Sequence, residues 1–229
     1  LGGGARLEGF TLAGGRTETS GGVPDAAGGG ACVVSGTVAR CVARGNTAAD
    51  GGGLHLEPGG TAENCLLVSN TAAGSGGGAR LAAGARLDFC TVADNAAGEA
   101  GGGVLLADGG TLRNTIVYGN QAVTGDNWSG TNGVCDTVCT TPTNTLPGAS
   151  GCFDDDPAFV AGHRLPAASP GVDVAPALAG CTADLDGAPR SRDGDGDGVS
   201  APDLGCFERA ARQPFVVVED ENAQCYAAD

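Results

Sequence analysis

Four glycine triplets set the frame of this chain: Gly28-Gly29-Gly30, Gly51-Gly52-Gly53, Gly76-Gly77-Gly78 and Gly101-Gly102-Gly103, spaced by 23, 25 and 25 residues. A fixed period in this range is the signature of a solenoid. Each triplet opens the same run: an apolar alternation, a glycine turn, a second alternation, then an asparagine. The 43 glycines speak against helix, because each costs about 1 kcal/mol in a helix interior.

Aligning Asn46, Asn70, Asn95 and Asn120 gives five coils. In the first, Gly4-Ala5-Arg6-Leu7 matches Gly84-Ala85-Arg86-Leu87, so Leu1 takes the place of Leu81. A chain that opens inside a repeat, with no signal segment before it, is expected to be a processed or excised form of a longer precursor. The longer loop of coil one, Gly15 to Ala27, is expected on the surface.

Period-two alternation means a strand with one buried face. It places Leu54, Leu56, Ala79, Leu81, Val104 and Leu106 inside, with His55, Glu57 and Arg80 outside. The second strand gives two inward columns: Leu7, Val38, Ala62, Leu87, Leu112, and Leu12, Ala43, Leu67, Val92, Val117. Between them run Phe10, Cys41, Cys65, Cys90 and Thr115. Strands this short cannot close a core alone, but stacked about 4.8 Å apart they share one interior. The predicted fold is all-β, a right-handed parallel β-helix, its hand following the general rule for parallel crossovers. Regular coils are expected over 1–123, an irregular cysteine-containing region closing one end over 124–208, and a tail over 209–229.

Asn46, Asn70, Asn95 and Asn120 are expected to form a ladder, since a stacked side-chain amide can donate to one neighbour and accept from the other. Replacing Asn95 by Ala should then lower stability. Cys41, Cys65 and Cys90 lie one coil apart, and parallel Cβ vectors hold them outside disulfide geometry. They read as buried thiols that act as small hydrophobes.

The net charge of −15 speaks against nucleic acid and anionic membranes as partners. No stretch approaches the roughly 20 apolar residues of a membrane span. Ten cysteines fit an oxidising compartment, although several fall where the coils bury them. Cys135, Cys139 and Cys152 form the densest cluster; Cys135 and Cys139 have the spacing of half a metal site and suit a disulfide framework better. Asn127-Trp128-Ser129 is formally a glycosylation sequon.

The C-terminal half carries ordered blocks: Cys139-Thr140-Thr141-Pro142, Asp156-Pro157-Ala158-Phe159-Val160, Ser169-Pro170-Gly171-Val172-Asp173, Asp184 through Arg190 (DLDGAPR) and Asp203 through Glu208 (DLGCFE). Together with the repeats, they resemble the choice-of-anchor Q family, bacterial surface β-helix proteins of the pectin-lyase-like group. The resemblance runs nearly to Glu208. It implies that these blocks continue as irregular coils and close the helix end. Beyond it, 209–229 departs from the family pattern, with Phe215-Val216-Val217-Val218 and no obvious anchor.

Asp193, Asp195 and Asp197 alternate with glycine, as in positions 1, 3, 5 and the turn glycine of an EF-hand-type loop. Position 12 is Leu204, with Asp203 beside it, and flanking helices are missing. Asp193, Asp195, Asp197 and Asp203 are therefore either ligands for Ca²⁺, which takes six to eight oxygens, or a solvated acidic turn. The outward columns Cys32, His55, Arg80, Leu105 and Val34, Glu57, Ala82, Ala107 offer one Glu, one His and one Arg. That is no matched carboxylate pair of the kind glycosidases use, and His55 reads as an ordinary surface residue.

The expected function is that of a secreted or cell-surface structural or adhesive β-helix protein, not an enzyme. An open first coil invites strand addition, so subunits are expected to stack end to end, with Phe215 to Val218 pairing onto a neighbour. Self-association and cell-surface or extracellular-matrix components are the expected partners. The alternative is a polysaccharide-binding or polysaccharide-degrading protein, a lyase or hydrolase, in which Glu57→Gln or Arg80→Ala would abolish turnover.

Overall fold

The computed structural model describes residues 1–17 and 27–210, with the backbone of Val218–Glu219 and Cys225–Tyr226. The chain is a parallel β-helix. Each glycine triplet opens a coil that visits three faces. The first face stacks Ala31–Val33, Leu54–Leu56, Ala79–Leu81, Val104–Leu106 and Trp128–Ser129. The second is an 11-stranded sheet, entered twice per coil, as by Thr61–Glu63 and Leu66–Val68. The third is short: Thr47–Ala48, Thr71–Ala72 and Ala96–Ala97. Among the described residues there is no helix, hence none long and apolar enough to cross a membrane.

The triplets have two physical jobs. Gly51, Gly76 and Gly101 adopt positive φ of 61°, 71° and 63°, where side chains are strained. The second glycine of each triplet is there for contact between coils. A Cβ on Gly52 would stand 2.5 Å from the Gly77 oxygen, and one on Gly77 would stand 2.3 Å from the Gly102 oxygen.

Every predicted inward column is in register, with Leu7, Val38, Ala62, Leu87 and Leu112 adjacent on successive strands. Leu54, Leu56, Leu81, Leu87 and Val104 are fully buried in one continuous core. Leu1 sits where the repeat places it, its carbonyl accepting from the Val34 N–H as that of Leu56 accepts from Ala82. Phe10 is the exception: in the first coil its side chain is 57% exposed instead of buried. Arg16 and Ala27, near the two ends of the long loop, bridge to Thr47 and Asp50; 18–26 lie outside the described residues.

The asparagine ladder is complete. Asn46 Nδ2 donates to Asn70 Oδ1, Asn70 Nδ2 to Asn95 Oδ1 and Asn95 Nδ2 to Asn120 Oδ1, each at 2.9 Å. Each acceptor oxygen also takes the backbone N–H of the preceding Asn. The ladder has a further rung. Asn120 donates to Asn127 Oδ1, and Asn127 Nδ2 ends on the Thr141 carbonyl. Asn127 is 5% exposed, so the formal sequon is a buried rung.

The thiol column is equally regular. Cys41, Cys65 and Cys90 are buried, and each Sγ donates to the carbonyl two residues back and to one in the preceding coil. Thr115 Oγ1 does the same, and so does Cys152 with Ser150 and Cys135. The disulfide-framework reading of Cys135, Cys139 and Cys152 is corrected. Cys135 pairs with inward Leu112 and Cys139 with outward Ile116, on opposite sides of the sheet, where no bridge can join them. Among the described residues no cysteine is in a disulfide.

Strand pairing continues past residue 123 through Trp128–Ser129, Val134–Thr140 and Ala149–Ser150. Trp128, Leu146 and Cys152 cover the core at this end. The later blocks do something the repeat pattern does not announce: they fold back along the flank of the stack. Leu165, Val172, Ala175, Cys181 and Leu204 pack on Phe89, Ile116 and Cys139, while Cys206 and Phe207 pack on Leu66. One clasp holds this flank. Arg190, buried over the Phe89 ring at 4.1 Å, donates to Asn64 Oδ1, to the Asp203 and Gly205 carbonyls and to Glu208. In the tail, Val218–Glu219 pairs antiparallel with Cys225–Tyr226; the rest of the expected Phe215 to Val218 pairing strand lies outside the described residues.

Candidate functional site

Three places carry chemistry, and each depends on the folded-back flank or on an outward column. The first is the acidic loop. Three carboxylates have oxygens within 4.8 Å of one another: Asp173, Asp193 and Asp195. Asp173 comes from the block at Ser169 to Asp173, which sequence periodicity could not bring to the loop. Asp193 caps the Gly196 and Gly198 N–H groups, and Asp195 that of Asp197. Asp197 caps Val199. Asp173 Oδ2 accepts from the Gly194 and Asp195 N–H groups, leaving Oδ1 buried with no hydrogen-bond partner.

Asp203, expected among the ligands, stands behind this cluster. It is fully buried, and its two oxygens accept from the Asp173 and Arg209 N–H groups. Burial pushes its carboxyl up to about 7 against the pull of those donors, with Glu208 and Asp173 adding like charge. The loop itself is tethered by Arg209, whose guanidinium donates to the Gly194 carbonyl.

The second place is the outer side of the first face. Cys32, His55, Arg80 and Leu105 are in register there as expected. His55 departs from the surface role expected of it. Only 6% of it is exposed, its Nε2 lies 2.8 Å from Glu57 and 3.3 Å from Arg80, and its Nδ1 is buried without a partner. The constellation supplies one carboxylate, one imidazole and one guanidinium. It lacks the facing acid that a two-carboxylate hydrolysis needs.

No family model, no curated protein and no solved structure matches this chain.

The third place is a groove of about 440 Å³ between the first coils and the flank. Phe10, Arg40, Val42 and Leu66 form its solenoid side; Arg164, Asp186 and Phe207 come from the flank. Arg164 lies 4.0 Å over the Phe207 ring and pairs with Asp186, while Arg40 Nε donates to Glu8 at 2.8 Å. The groove was not legible in the repeat, because Arg164, Asp186 and Phe207 reach it from a part of the chain that does not repeat, far along the sequence from Phe10, Arg40 and Leu66. The one available signal was the unbroken apolar run Leu66-Leu67-Val68: a strand apolar on both sides is covered on both sides.

Proposed function

We propose that this chain is a structural β-helix module of a secreted or cell-surface protein. The observation that carries the reading is the regularity of the stack: one continuous core and an unbroken asparagine ladder run from coil to coil, and Trp128 and Leu146 are buried over the core beyond the last regular coil. A solenoid coil buries its apolar residues against its neighbours, so such a stack is a stiff support that can bear or space other parts of a surface protein. The resemblance to surface β-helix proteins supports the location, and the net charge of −15 supports extracellular or matrix partners over nucleic acid.

Immunogold electron microscopy of the producing cells, with an antibody to this chain, tests this. Label on the cell surface or in the surrounding matrix is expected; label confined to the cell interior, or turnover of a polysaccharide by the purified chain, would overturn it. In this reading no residue is assigned a catalytic role.

The same reading gives Ca²⁺ a structural place. The buried, unpartnered Asp173 Oδ1 beside Asp193 and Asp195 fits a hard cation, which would take oxygens from these three carboxylates and brace the loop that Arg209 tethers. Calcium should raise the melting temperature of the native chain and leave Asp173→Asn unaffected. Equal melting curves with calcium and with chelator would remove the ion from the account.

A further inference from the structure

We propose that Asn132 is a site of spontaneous covalent modification, converted to aspartate and to β-linked aspartate through attack by the next peptide nitrogen. The site is independent of the module reading above. Asn132-Gly133 is the one Asn-Gly step in the chain. In register, Gly133 follows Gly60, Ala85 and Gly110, each standing just ahead of its strand on the second face. Asn132 therefore falls where the preceding coils place Gly59, Gly84 and Gly109, all at positive φ. Asn132 does not take that conformation, so the turn is rebuilt and its hydrogen bonding changes. The Gly60 N–H donates to the Glu57 carbonyl at 2.8 Å, and the Ala85 N–H to the Ala82 carbonyl at 3.0 Å. Among the described residues the Gly133 N–H makes no such bond, and the exposed Asn132 makes none with its amide.

These are the conditions for ring closure. The Gly133 nitrogen loses its proton and attacks Asn132 Cγ. The new N–C bond closes a five-membered succinimide while the Cγ–Nδ2 bond breaks, and the amide nitrogen leaves as ammonia with that proton. Water then opens the ring at either carbonyl, to give aspartate or a main chain that runs through the side-chain carbon. Gly133 has no Cβ to obstruct the attack, and its free N–H has no partner to surrender first. Packing is what demands glycine there, since a Cβ on Gly133 would stand 2.8 Å from the Gly110 oxygen. The place matters as well. Gly133 leads into Val134–Thr140, which pairs at six positions with Thr111–Tyr118. The β-linked product lengthens the main chain by one carbon just ahead of that strand and adds a negative charge.

Peptide mass mapping of the full chain, held in mildly alkaline buffer and sampled over time, tests this. Asn144 is the comparison: it too is exposed, but the β-branched Thr145 follows it. Asn132 is expected to convert from amide to acid at least about tenfold faster than Asn144, with both product isomers present. The ladder residue Asn95, 1% exposed, should stay intact over the same period. Asn132→Gln should halt conversion at this position, because the longer side chain must close a larger ring. Asn132 converting no faster than Asn144, or conversion at an equal rate in Asn132→Gln, would overturn the assignment.

Discussion

Asn95 shows how much one side chain does in this fold. Its Oδ1 accepts from the backbone and side chain of Asn70, and its Nδ2 donates to Asn120 and to the Leu67 and Ala93 carbonyls. Removing the amide leaves buried groups in three coils unpaired, at about 1–3 kcal/mol each. Asn95→Ala should therefore lose at least about 3 kcal/mol in denaturant unfolding. An exposed asparagine such as Asn132 gives the baseline. The thiols follow a related logic. Burial pushes Cys139 and Cys206 up to about 12 and Cys181 up to about 11. At pH 8 these three should resist alkylation in the native protein and react on unfolding, which peptide mass mapping would read.

At the level of elements, the glycine triplets make the sharpest prediction. Gly52→Ala drives a methyl group into the carbonyl of the next coil, so it should destabilise by several kcal/mol, whereas Gly3→Ala meets open space and carries only the penalty of its positive φ, about 1 kcal/mol. Comparing the two melting curves separates contact from conformation. The coils were legible in the sequence because each position recurs under the same constraint: glycine where backbones touch, leucine where the core fills, asparagine where amides stack. The flank was not legible, since nothing in it repeats. Leu165, Arg190 and Phe207 acquire their partners from coils far away in sequence, and only the outward Leu66 and Ile116 hint that a cover exists. For the same reason Asp173, and not Asp197 or Asp203, joins Asp193 and Asp195. Sequence spacing describes a loop, while the third carboxylate is delivered by tertiary packing.

On the scale of the whole molecule, pH reports on the flank. Asp203, pushed up to about 7 by burial, holds a proton when folded that it surrenders when unfolded, near 3.9. Between those values the folded state binds more protons than the unfolded one, so stability is highest at the acid end and falls as pH rises from about 4 to 7. Glu208 is shifted in the same direction by its burial and adds to the slope. Asp203→Asn should flatten the melting-temperature profile across that window. The clasp at Arg190 carries a wider consequence. A stack of coils touches only its neighbours and is free to unravel from whichever end is weaker. Here a single strap crosses from the coil of Asn64 to that of Cys139, so those coils cannot part company one at a time. Hydrogen exchange should find them opening together, in one step.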